Sequence, residues 1–263
     1  DLDRVRAVPD FPADAPVVDA IIDGVTALAV DDTQLALDVV NRALGAGVAR
    51  PDHVLYVAPA SCCPATEPVP AGAALLEPVP APQSNPDPDV LADPSSTGAG
   101  VVLSVVDTGW IPGLDNAAHP WLSGVTGDLE TVDPADIGPY VGHGSFVAGV
   151  ARCVAPGTQI RVEGFLTHGG AVFESEIVKQ LDQAMQTLPD IISMSAGCVT
   201  HDNLPPLAFE ALYEKRLRHM KGTVLVCAAG NDGSRRPFWP AASPWAVSVS
   251  ALPSLTSPRP ASA

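Results

Sequence analysis

The stretch VVLSVVDTG at residues 101–109 decides the fold. Six apolar or small residues in a row lead to a carboxylate, Asp107, and a Thr-Gly turn. A run this continuous has no wet face, so it suits a parallel strand covered on both sides. Asp107 then closes a buried strand, a costly place for a charge unless it is hydrogen-bonded or at work. Two further segments share the same punctuation. GHGSFVAGV at 142–150 puts His143 between two glycines at the start of a helix. VLVCAAGND at 224–232 ends a second apolar strand at Asn231. His143 follows Asp107 by 36 residues (143 − 107), and Asn231 follows His143 by 88 (231 − 143).

Outward from this centre, residues 98–252 alternate strand and helix. Short β-branched runs predict strands over 101–106, 160–165, 191–195, 224–228 and 246–250. Helices are expected over 144–155, 174–188 and 207–221. The middle one places Ile177, Leu181, Ala184, Met185 and Leu188 on one stripe, with Glu174, Glu176, Lys179 and Asp182 outside. Right-handed crossovers between such strands give a doubly wound, mostly parallel α/β sheet, whose functional groups gather at the carboxyl ends of its strands.

Before this domain, residues 1–60 read as a small α/β unit. AIIDGVTALAV at 20–30 is strand-like, and HVLYVAP at 53–59 is a second strand. Between them DDTQLALDVVNRALGAG at 31–47 is a helix, capped by Asp31, Asp32 and Thr33 and ended by Gly45 and Gly47. Leu35, Val39, Ala43 and Leu44 mark its apolar side. Residues 61–97 hold nine prolines without periodicity and are expected to be a linker. Residues 253–263, PSLTSPRPASA, are expected to be a disordered tail.

A formal charge of −16 and a pI near 4.5 argue against nucleic acid or an anionic membrane as partner. No apolar run reaches bilayer-spanning length, so the chain reads as soluble. No charged-then-apolar leader follows Asp1, and the compartment stays open. Five cysteines (62, 63, 153, 198, 227) show neither zinc spacing nor a disulfide framework. No Gly-x-Gly-x-x-Gly follows the first main strand, which argues against a nucleotide-binding reading.

Singly, each motif has an ordinary alternative: Asp107 a turn cap, His143 a helix-start histidine, Asn231 part of an Asn-Asp-Gly turn. Their order and sheet setting are more specific. DTG at 107–109, HGSFVAG at 143–149, IISMSAG at 191–197 and AAGNDG at 228–233 together resemble four blocks of the subtilisin-like serine proteases. The resemblance implies that Asp107 is the catalytic acid, His143 the base and Asn231 the oxyanion donor. It implies that Ser195, Ala196 and Gly197 pair with substrate backbone, and that the partner is a peptide or protein. By the same resemblance Trp239–Pro240 is expected to be a cis peptide, and secretion is the family default. No cofactor is implied, and no calcium is expected beside the His143 helix, which runs directly into the next strand. The family's nucleophilic serine lies beyond the oxyanion block, in a Gly-Thr-Ser turn opening a helix. Only 32 residues follow Asn231 (263 − 231), and none of their serines has that setting. The expectation is therefore a subtilisin-like endopeptidase domain lacking its nucleophile, or alternatively a non-catalytic peptide-binding or regulatory relative. The N-terminal unit is expected to be prosegment-like or accessory.

Overall fold

The computed structural model describes residues 2–57, 97–114, 122–133, 135, 137–138, 140–166, 170–231 and 234–250. The expected tail, and the expected linker up to its last residue, lie outside these residues. Strands β4 (Val102–Asp107), β5 (Thr126–Gly127), β6 (Gln159–Gly164), β8 (Ile191–Met194), β10 (Val224–Ala228) and β11 (Val247–Val249) form one sheet. Its order is β11-β10-β8-β4-β6-β5, and every pairing is parallel. All five strands expected over residues 98–252 are present, within two residues at each end.

From β4 the chain crosses to β6 on one side through helix α3 (His143–Val154). It returns past β4 to β8 through helix α4 (Glu174–Ala184), and reaches β10 through helix α5 (Leu207–Lys215). Right-handed crossovers in opposite directions put α3 on one face and α4 with α5 on the other. The two cores follow this division. Ala148 of α3 packs with Leu103, Val105, Ile160 and Val162. Ile177, Leu181, Phe209 and Leu212 of α4 and α5 pack with Val106, Ile192, Met194, Leu225 and Cys227. The direction of travel reverses at β4, and Asp107 stands at its carboxyl end, the position where such sheets gather their functional groups.

The N-terminal residues depart from the simple strand–helix–strand outline. A single-turn helix, α1 (Leu2–Arg6), comes first. Residues 17–28 form not one strand but a hairpin, β1 (Val17–Ile22) with β2 (Val25–Leu28), turning at Asp23-Gly24. Gly24 takes φ +92°, which the tight connection requires. Helix α2 (Thr33–Leu44) is capped as expected, the Asp32 carboxylate accepting from the Leu35 amide at 2.9 Å. Its buried side is Ala36 and Val40, while Leu35 is exposed. The hairpin lies against α4 and α5, with ion pairs Lys179–Asp19 and Arg216–Asp23 at the seam.

Strand β3 (Val54–Val57) leaves this unit altogether. It runs antiparallel between β7 (Ala171–Phe173) and β9 (Ala196–Gly197), making a separate three-stranded sheet. Two helix expectations also change. Leu188 is exposed, because the chain turns into the left-handed region there and leaves the stripe. Glu174, expected outside, is 3% exposed.

Candidate active site

Asp107 is fully buried at the end of β4. Its Oδ1 accepts from the Thr108 amide at 2.8 Å and faces His143 Nδ1 at 2.7 Å. An ionised carboxylate only accepts, so this contact calls for a proton on Nδ1, and in the neutral imidazole Nε2 is then the ring's acceptor. Oδ2 is buried with no partner among the described residues.

Backbone contacts on both flanks hold the imidazole in place. Gly142 precedes it with φ +83°, and the Gly142 amide donates to Glu130 Oε2 at 3.0 Å. The Thr108 hydroxyl accepts from the Gly144 amide at 3.1 Å and donates to the same Glu130 oxygen at 3.2 Å. The Ser145 hydroxyl accepts from the Ile111 amide at 2.9 Å, tying α3 to the loop after β4. A Cβ built on Gly144 would meet the Gly109 carbonyl oxygen at 2.6 Å. The Asp-Thr-Gly and Gly-His-Gly segments thus interlock backbone against backbone. Thr108, Glu130 and Ser145 were not legible as site residues. Glu130 belongs to no motif, and its long-range partners give no local signal.

Asn231 stands three residues past β10, exposed, at the same carboxyl edge of the sheet. Two strand spacings separate β10 from β4, about 10 Å. Ser195 joins β8 to β9, while Ala196 and Gly197 pair with Val57 and Tyr56 of β3. On its other edge β3 matches Val54, Leu55 and Tyr56 with Phe173, Val172 and Ala171. The Val57 amide donates to the Gly170 carbonyl at 2.8 Å, and the Tyr140 hydroxyl donates to the Val57 carbonyl at 3.3 Å. The Tyr140 ring in turn meets the His143 ring edge-on, centroids 6.4 Å apart. The extended segment 54–57 therefore runs toward the Asp107–His143 pair, with Leu55 and Val57 buried.

Trp239–Pro240 is cis, as expected. The free thiols Cys198 and Cys227 are buried, and burial pushes both up to about 12, so neither is a nucleophile near neutral pH. Among the described residues no cluster of three or more His, Cys, Asp or Glu could hold a metal. No helix among them is long and apolar enough to cross a membrane.

The Subtilase family model matches residues 98–262, well over half of the chain. The Thermophilic serine proteinase of Bacillus sp. (strain AK1) is 29% identical over 177 residues, 62% of this chain and 41% of that protein. The Minor extracellular protease Epr of Bacillus subtilis (strain 168) is 28% identical over 165 residues, 59% of this chain and 24% of that protein. Thermitase of Thermoactinomyces vulgaris is 29% identical over 157 residues, 55% of this chain and 52% of that protein. The chain spans about half or less of the length of these relatives.

Proposed function

The chain belongs to the subtilase family, and we propose that it carries the acid–base half of a serine endopeptidase site together with its peptide-binding slot. The single observation that carries this is the 2.7 Å contact between buried Asp107 and His143 Nδ1. In a complete site, His143 Nε2 takes the proton of a serine hydroxyl as that oxygen attacks the scissile carbonyl. It then gives the proton to the leaving amine, while Asp107 holds the tautomer and stabilises the imidazolium. The Asn231 amide is the proposed donor to the tetrahedral oxyanion, a role worth about 3–4 kcal/mol of barrier in subtilisin. Ala196 and Gly197, with β7 opposite, bind substrate backbone as added strand pairs.

The serine itself is proposed to come from outside these 263 residues, which by themselves bind peptide without appreciable turnover. The N-terminal unit is the intramolecular occupant of the slot, which supports a prosegment-like role over a merely accessory one. Its hairpin lies on α4 and α5 while β3 fills the space between β7 and β9. An extracellular setting, as the name of Epr states for that protein, is proposed here too.

Proton NMR of the imidazole tests the carrying observation. A hydrogen-bonded Nδ1–H gives a far-downfield, exchange-protected signal, expected in the wild type and lost in Asp107→Ala. A spectrum lacking the signal in the folded wild type, or unchanged by the substitution, would remove the acid–base pair from the proposal.

A further inference from the structure

On the reading that the slot between β7 and β9 takes extended peptides, we infer that the first turn of α4 is a specificity subsite. Glu174 and Ser175 there select an acidic residue followed by an imidazole or other basic residue, immediately before the strand-forming part of the bound peptide. The resting chain displays such an occupant in Asp52-His53-Val54-Leu55-Tyr56-Val57, and each of its first two side chains has its own counterpart.

Asp52 Oδ1 accepts from the Ser175 amide at 3.0 Å, and Oδ2 from the Ser175 hydroxyl at 2.6 Å. The amide is one of the helix-start donors that has no acceptor within its own helix, so a carboxylate suits it and an ammonium does not. His53 turns the other way. Its Nδ1 lies 3.2 Å from Glu174 Oε2, and its carbonyl accepts from the Glu174 amide at 2.8 Å. Glu174 is 3% exposed, and its second oxygen accepts from the Ala208 amide at 2.5 Å, at the start of α5.

That burial gives the subsite its selectivity. Water has little access to Glu174, so a slot residue without a donor leaves Oε2 buried and unsatisfied. An acidic residue there would add like charge. Strand alternation puts His53, Leu55 and Val57 on the inward side, and Val54 is 44% exposed and free to vary. The preferred ligand is therefore acidic, then basic, then a strand with apolar residues at its second and fourth positions.

The test uses the full chain and capped hexapeptides that compete with its own segment, read by deuterium exchange of the amides of residues 54–57. DHVLYV is expected to expose those amides at a concentration roughly tenfold lower than DAVLYV or KEVLYV, the worth of one charge-assisted hydrogen bond. In Glu174→Gln the advantage of DHVLYV over DAVLYV is expected to vanish. Glu174 also supports α5, so Ser175→Ala provides an independent variant, expected to reduce the advantage of DHVLYV over AHVLYV severalfold by removing the hydroxyl donor while the backbone amide of residue 175 remains. Equal displacement by all peptides would overturn the subsite while leaving the slot intact. Failure of every peptide to expose residues 54–57 would overturn the slot, and the subsite with it.

Discussion

Asp107 and His143 were legible in the sequence because each is signalled locally, one by the end of an apolar run and the other by glycines at a helix start. Glu174 was not. Helical periodicity puts it outside α4, but periodicity knows only the helix's own axis, and His53 and the amide of Ala208 come from 121 and 34 residues away. Glu163 on β6 is a comparable buried acid, beside the Ser104 hydroxyl and the Arg161 guanidinium at 3.0 Å. Burial raises its carboxyl above the ordinary 4.5, and Arg161 offsets only part of this. The folded chain therefore keeps this proton at pH values where the unfolded chain has released it. The resulting stability is full below about pH 4.5 and is lost as pH rises through the folded value. Urea unfolding at several pH values is expected to show this downward slope just above pH 4.5 in the wild type and its loss in Glu163→Gln. Identical slopes would contradict the assignment.

At the scale of elements, the five longer sheet strands and three helices of residues 98–250 were legible from their apolar runs and periods, while the short strands β5 and β7 were not. Partners were not. Nothing in HVLYV says that β3 pairs with residues 115 (171 − 56) to 141 (197 − 56) positions downstream rather than with its neighbours β1 and β2, and a hairpin within residues 17–28 is hidden by its apolar turn flanks. The joint made by β3 rests on Leu55, which is fully buried among Val172, Ile177 and Met194. Leu55→Ala is expected to cost about 2–5 kcal/mol, the usual range for such a cavity. Exchange protection at residues 171–173 and 196–197 is expected to fall with it. Denaturant titration combined with amide exchange checks both. A change below about 1 kcal/mol with protection intact would mean that the slot closes without its occupant.

For the molecule as a whole, the sheet is covered unevenly. On the face that carries α3, the row running from Val105 through Ser193 and Val226 to Val247 goes from fully buried to 48% exposed, and Val249 is 54% exposed. On α3 itself, Phe146, Val150 and Val154 recur at four-residue spacing and are exposed. Parallel sheets are stable when both faces are covered, so among the described residues this one is bare over β10 and β11. The 263-residue chain is expected to bind an apolar fluorescent dye in its native state. Val247→Lys combined with Val249→Lys should reduce that signal by roughly half or more, with the fold retained by circular dichroism. A native chain that leaves the dye dark would show the face to be closed.

The same bare face adjoins the carboxyl edge where Asp107, His143 and Asn231 stand, and no Gly-Thr-Ser turn follows Asn231 in the sequence. Central to the proposed function is a cleft that holds the acid and the base of the family's machinery without its nucleophile. Labelling the folded 263-residue chain with a fluorophosphonate, read by intact mass and peptide mapping, tests it most directly. No adduct on any serine is the predicted result. A stoichiometric adduct on one serine, abolished by His143→Ala, would contradict the account and make this chain a complete hydrolase.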